Sequence, residues 1–203
     1  MMKEHPIIMS GESVRAILNG SKTQTRRVVK PQPIIEGAST FGGDVAMGFY
    51  YHWKTYKVSN IQHLVRYCPY GQVGDRLWVR EIWDLDIAPI LNTKDLETIF
   101  YKEQTPLEDW QYFEWKSPFF MPRWASRILL EITDIRVERL QEITEKDAIA
   151  EGMSLDTPYS EKYNSYRQAF SFLWNTLNLK RGYGWEVNLW VWVIGFKLLK
   201  GES

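Results

Sequence analysis

Apolar and polar positions repeat with different periods along this chain, and each change of period marks an element. Val14, Ile17 and Leu18 recur at helical spacing. Ser10 stands where a helix takes its N-terminal cap, and Glu12 falls in the first turn, where a negative charge suits the helix dipole. Asn19-Gly20, residues that tolerate the left-handed conformation, end this helix. Thr25 to Val29 can open a strand that Pro31 and Pro33 stop. From Arg76 to Trp83 the period is two: Leu77, Val79 and Glu81 share one face, Trp78, Arg80 and Ile82 the other. Ser126 to Leu140 alternates in the same way, with Ile128, Leu130 and Ile132 in phase, then Ile135 and Val137 after a bend expected at Thr133-Asp134. Thr144 caps a short helix that ends at Glu151-Gly152. Tyr163 to Leu177 reads as an amphipathic helix with Tyr166, Ala169, Phe170, Leu173 and Leu177 on the buried stripe. Leu189 to Leu199 is apolar on both faces, which predicts a central strand.

Two stretches keep no sustained period. Residues 34–70 read as an insertion holding one hairpin. Residues 84–121, rich in Asp, Glu, Tyr and Trp, read as a second insertion between two strands, placed to serve as a lid or rim. Segregated helices and antiparallel strands predict an α+β fold. At 203 residues the chain, 1–203, is expected to be one domain carrying these two insertions.

Composition narrows the function classes. Lys+Arg and Asp+Glu both number 25, so the chain lacks the basic field of a protein that coats long duplex nucleic acid. A pocket that reads one nucleoside or a short strand does not need such a field. Cys68 is the single cysteine, so no intramolecular disulfide can form, which fits a reducing compartment. Nothing approaches a signal peptide or the ~20 apolar residues of a membrane span, so a cytoplasmic location is expected and a membrane partner is not. His63 with Cys68 makes no zinc set, and His5 and His52 lack a spaced partner. There is no glycine-rich phosphate loop and no Gly-x-Ser-x-Gly elbow. Neither a metal nor a cofactor is expected.

The densest chemistry lies in Gly20-Ser21-Lys22-Thr23-Gln24-Thr25-Arg26-Arg27, delivered by a helix exit. A threonine hydroxyl needs a base to become nucleophilic. Lys22 can supply one if its pKa falls, and Arg26 and Arg27 are like charges that lower it. The same composition also suits a solvated basic turn. Glu151, at the end of its short helix, opposes the dipole at a cost of about 0.3–1 kcal/mol; such a carboxylate fits a general acid or base, or a frayed surface position. Glu81 shares a face with apolar neighbours and needs a partner, for which Arg27 and Lys22 are candidates, either in a site or in a structural ion pair. Arg80 lies beside it. Arg123, Trp124, Tyr183 and Trp185 either rim a pocket, where a ring could stack on a base, or pack.

Gly20, Lys22, Thr25 and Arg27 match the Gly-x-Lys-x-x-Thr-x-Arg signature of ASCH domains, a branch of the PUA-like fold. The stretch from Leu140 to Met153 resembles the corresponding segment of small bacterial ASCH enzymes that deacetylate N4-acetylcytidine. Gly74-Asp75-x-Leu77-x-Val79 and Trp192 to Phe196 extend the likeness to about half the chain. The resemblance implies a partly open β-barrel flanked by helices. It also implies an amidohydrolase set by matching position, Lys22, Thr25 and Glu151. In the leading reading Lys22 acts as base, Thr25 as nucleophile or water-orienting hydroxyl and Glu151 as proton shuttle, and Arg27 holds the oxyanion or the ligand. Those enzymes are roughly half this length, and neither insertion is matched. Arg76-Leu77-Trp78-Val79-Arg80-Glu81 and Met121 to Arg127 are similar to a longer ASCH group of phages and prophages. Four readings follow: hydrolysis of an amide on a modified pyrimidine, RNA or modified-base binding without turnover, cleavage of single-stranded RNA, or a phage accessory role on a host protein.

Overall fold

The computed structural model describes residues 2–33, 48–51, 54–57, 61–86, 98–155 and 163–199. Ser10 does cap the first helix, accepting from the Ser13 amide, and Val14 and Ile17 are its buried positions. This helix, α1 (Gly11–Leu18), lies between β1 (Glu4–Ile8) and β2 (Gln24–Val28). A hairpin of β3 (Gly48–Tyr51) and β4 (Lys54–Lys57) follows, then β5 (Arg76–Arg80), β6 (Trp83–Asp86) and β7 (Thr98–Tyr101). The second half holds β8 (Leu129–Arg139), α2 (Glu145–Ala150), α3 (Tyr166–Asn178) and β9 (Trp190–Leu199).

The main sheet has five strands in the order β1-β5-β8-β9-β2. β1 runs parallel to β5 and the other pairs are antiparallel. β1 is not legible as a strand in the sequence, so the sheet is mixed where an antiparallel one is expected. The ladder does not close into a barrel: β1 and β2 are its edges. The edges nevertheless face each other, because Arg27 on β2 donates through Nη2 to the carbonyl of Ile8 at the end of β1, at 2.6 Å. α1 spans the same gap along the chain.

The two faces carry two cores. On one, Trp192, Ile194 and Phe196 of β9 pack with Leu130, Ile132, Ile135 and Val137 of β8 and with Ile7, Leu77 and Val79, and α1 covers them with Val14 and Ile17. On the other, Val191 and Val193 meet Phe170 and Trp174 of α3, Ala148 of α2 and Trp185. β9 is thus buried on both sides, as its unbroken apolar run requires. The bend in β8 is a bulge between Ile132 and Asp134. It restores the phase that puts Ile135 and Val137 back on the core face.

The structure departs from the sequence pattern in three places. The strand read from Arg76 to Trp83 breaks after Arg80, and Trp83 starts a hairpin of its own with β7. At the break, Glu81 turns inward to Arg127, which donates from Nε and Nη2 at 2.9 and 2.8 Å. In α3 the buried stripe runs through Phe170 and Trp174, while Leu177 is exposed. Leu18 of α1 is exposed too. Of the two insertions, residues 34–47, 52–53, 58–60 and 87–97 lie outside the described residues. The described part of the second packs around Trp83, Met121 and Ala125 and ties to α1 through an ion pair of Arg15 with Glu103. Among the described residues no helix is long and apolar enough to cross a membrane.

Candidate functional site

The α1 exit is fixed by backbone. Gly20 takes φ +82°, the Lys22 amide donates to the carbonyl of Ala16, and the Thr23 amide donates to that of Ala150. The chain therefore passes between the end of α1 and the end of α2 before β2 begins at Gln24. Lys22 and Glu151 form an isolated antiparallel bridge at this crossing. Glu151 is the C-terminal cap of α2, and Gly152 turns the chain away at φ +88°. A Cβ on Gly152 would stand 3.1 Å from the Cβ atoms of Ala16 and Lys22. Glycine is what lets the two segments touch.

The side chains complete the crossing. Lys22 Nζ donates to Glu151 Oε2 and to the Glu151 carbonyl, each at 2.8 Å. Both residues are only 5% exposed. Glu151 Oε1 accepts from Arg26 Nη1 at 3.3 Å. Arg26 points to the opposite face of β2 from Thr25 and Arg27. There its Nη2 donates to Glu138 at 3.0 Å and lies 3.5 Å from Asp147. Arg136 bridges the same two carboxylates. Arg26 is thus neutralised from behind.

Burial lowers the Lys22 pKa, the charge and hydrogen bond of Glu151 raise it, and Arg27 and Arg26 lower it further; the balance falls below the ordinary lysine value. The sequence pattern identifies the two arginines, but burial is the larger cause. Burial also works on Asp147, upward, but hydrogen bonds from Thr144 and the charges of Arg26 and Arg136 overcome it and hold the carboxyl at about 2.

A cavity of about 570 Å³ opens beside this contact. Lys22, Thr25, Arg27 and Glu151 line it, with Ile8 to Gly11 from the opposite sheet edge. The Thr25 hydroxyl is hydrogen-bonded to no other described residue. Arg27 reaches across the gap to the Ile8 carbonyl and to Met9 Sδ, at 2.6 and 3.3 Å, and no carboxylate among the described residues pairs with it. Tyr70 adds a phenol whose pKa burial pushes up and Arg27 pulls down. Leu173, Trp174, Leu177 and Asn178 form the α3 wall, continued by Arg181 and Tyr183. The arrangement offers a buried amine in direct proton contact with a carboxylate, a free hydroxyl and a guanidinium, all facing one space.

Lys22, Thr25, Arg26, Arg27, Glu151 and Tyr183 are therefore brought together. Glu81, Arg80, Arg123 and Trp124 are not. Glu81, 1% exposed, pairs with Arg127 and not with Arg27 or Lys22. Arg80 lies over the Trp78 ring and donates to the Phe119 carbonyl. Arg123 pairs with Glu4, and Trp124, 60% exposed, meets the edge of Trp83. Of the described residues in the 84–121 insertion, Pro118 alone lines the cavity. Tyr70, Lys30, Arg181 and the α3 wall escape the sequence reading, because nothing in their local pattern says that β2 and α3 share a cavity. Among the described residues, no group of three or more His, Cys, Asp or Glu could hold a metal ion. No protein-family model, curated protein or solved structure matches the chain.

Proposed function

We propose that this protein is an ASCH-type member of the PUA-like fold, of the longer phage and prophage kind. In this reading it acts in the cytoplasm and hydrolyses an amide on a modified pyrimidine such as N4-acetylcytidine. The observation that carries the reading is the buried 2.8 Å contact between Lys22 and Glu151, residues 129 apart, in the wall of a cavity that also holds Thr25 and Arg27. With its pKa lowered, Lys22 reaches the neutral amine more readily and takes a proton from the Thr25 hydroxyl or from a water aimed by it. The oxygen adds to the acyl carbon, and Arg27 faces the charge that develops on the carbonyl oxygen. The proton passes through Glu151 to the departing amine as the C–N bond breaks. When Thr25 is the nucleophile, a water then releases the acyl group as the free acid.

The test is to incubate the protein with N4-acetylcytidine and follow cytidine by chromatography. Lys22→Ala and Glu151→Ala are expected each to lose turnover by about 10²–10⁴-fold with the fold retained. Thr25→Ser keeps part of the activity and Thr25→Ala does not. Undiminished turnover in both the Lys22 and Glu151 variants removes their roles as base and proton shuttle. A second reading, a modified-base or RNA reader without turnover, draws on the same geometry: both Glu151 carboxylate oxygens are already occupied by Lys22 and Arg26. It predicts binding without product, with Arg27→Ala weakening it more than any aromatic variant.

A further inference from the structure

We infer that the ligand of this cavity carries a phosphate, held at a cationic mouth formed by Lys30 and Arg181 with Arg27 behind them. The inference rests on the nucleoside reading of the same site and narrows its ligand class from free nucleosides to nucleotides. The chain as a whole is neutral, with 25 basic and 25 acidic residues. The cavity is not: five cationic side chains line it, Lys22, Arg26, Arg27, Lys30 and Arg181, against one carboxylate, Glu151. Pairing accounts for only part of this excess. Lys22 takes Glu151, and Arg26 is matched from the far side of β2 by Glu138 and Asp147. Arg27, Lys30 and Arg181 remain, and none of them pairs with a carboxylate among the described residues. Three unmatched cations around one concave space in a neutral chain raise the local concentration of anions.

Their placement says which part of the ligand is anionic. Lys30 lies beyond the end of β2, five residues after Thr25, so extended chain puts the two roughly 16 Å apart at about 3.3 Å per residue. Arg181 closes the turn that follows α3, and Tyr183 comes two residues later. The Lys30 ammonium stands 4.5 Å over the Tyr183 ring, which joins these segments into one rim. Lys30 and Arg181 are both exposed residues that line the cavity. A base placed against Lys22, Thr25 and Glu151 does not reach that rim. A sugar phosphate attached to the base extends toward it. Phosphate oxygens suit the arginine fork and the lysine ammonium alike.

The shared chemistry is a phosphate on the sugar, either the monoester of a mononucleotide or a diester within a strand. The experiment titrates the wild-type protein with the four common nucleosides, their 5′-monophosphates and the matching trinucleotides, in low and high salt. Tryptophan fluorescence is the signal, since Trp174 and Trp192 line the cavity. These probes carry no acyl group, so binding is read apart from hydrolysis. At least one monophosphate is expected to bind tenfold or more tighter than its nucleoside in low salt. That ratio falls toward one in high salt and in the double variant Lys30→Ala/Arg181→Ala. A purely structural role for the two cations moves thermal stability and leaves the ratio unchanged, which overturns the inference. A trinucleotide tighter than the monophosphate identifies a strand; the reverse order identifies a mononucleotide. Equal affinity for nucleoside and monophosphate, or no binding of any monophosphate or trinucleotide, overturns the inference, while cytidine release from N4-acetylcytidine is scored separately. Phosphate-dependent binding with no such release keeps the inference and ends the hydrolytic reading.

Discussion

At the scale of single residues, the site turns on one amine. Lys22 is buried like a core side chain, yet it is an ion pair partner and the proposed base. Its pKa falls because burial penalises the ammonium and two arginines repel it, against the pull of Glu151. Removing the proton is thus easier than in water, and the sign of the consequence is fixed. A base works in its neutral form, so kcat/KM on N4-acetylcytidine is expected to rise with pH along an acid limb whose midpoint lies below 10.5, the ordinary lysine value. The same depression acts on folding: the protonated amine favours the unfolded chain, so its penalty is felt at low pH and shrinks as pH climbs toward 10.5. A pH–rate profile of the wild type and of Lys22→Ala checks this. If the limb persists unchanged in the variant, another group is titrating.

At the scale of elements, what the sequence makes legible is what local chemistry decides. Ser10 and Thr144 cap the helices read from them, and the β8 bulge falls where Thr133-Asp134 interrupts the alternation. The hairpin expected in residues 34–70 is β3–β4. β1 stays hidden because Glu4-His5-Pro6-Ile7-Ile8 holds a proline and buries only Ile7. Its strand character comes from its parallel partner β5, far along the chain. The Glu81 partner is missed for a similar reason: Arg127 lies 46 residues away, and alternation says which way a side chain points but not what waits there. Local pattern also hides the ion network behind α2. There Asp147 completes the capping box with Thr144 and receives Arg136 at 2.7 Å. Its folded pKa of about 2 lies below the ordinary 3.8, so the stability it contributes is present above pH 3.8 and is lost as pH falls toward 2. The depression corresponds to at most about 2.5 kcal/mol, and the partial exposure of the carboxylate brings the expected figure nearer ~1 kcal/mol. Denaturant unfolding of Asp147→Asn should therefore show a deficit of that size at neutral pH that closes as pH falls to about 2. A deficit independent of pH would place the effect in packing and not in charge.

At the scale of the whole molecule, the cavity exists because the sheet does not close. β1 and β2 stand apart at the two edges, α1 joins them, and Arg27 bridges the opening from the β2 side to the Ile8 carbonyl. The ion network behind β2 holds this open end to α2, while the second insertion is anchored elsewhere, at the break after β5. That anchor is Glu81 with Arg127, a carboxylate 1% exposed and gripped by two hydrogen bonds, with the guanidinium 4.2 Å over the Tyr101 ring. Neither residue lines the cavity, so the two charge clusters are separable. Removing one partner of a buried pair leaves the other charge without compensation, at a cost of about 3–5 kcal/mol. Arg127→Ala is therefore expected to lower unfolding free energy by that amount while leaving the affinity of the folded protein for its ligand, and any turnover, within about twofold of wild type. Arg27→Ala is expected to do the reverse, because its described partners are a carbonyl and a thioether with no stranded carboxylate behind: a small loss of stability and a loss of ligand binding of about tenfold or more. Chemical denaturation together with ligand titration of the two variants reads both quantities. A ligand affinity that falls in Arg127→Ala as steeply as in Arg27→Ala would mean that the insertion and the open sheet edge act as one unit.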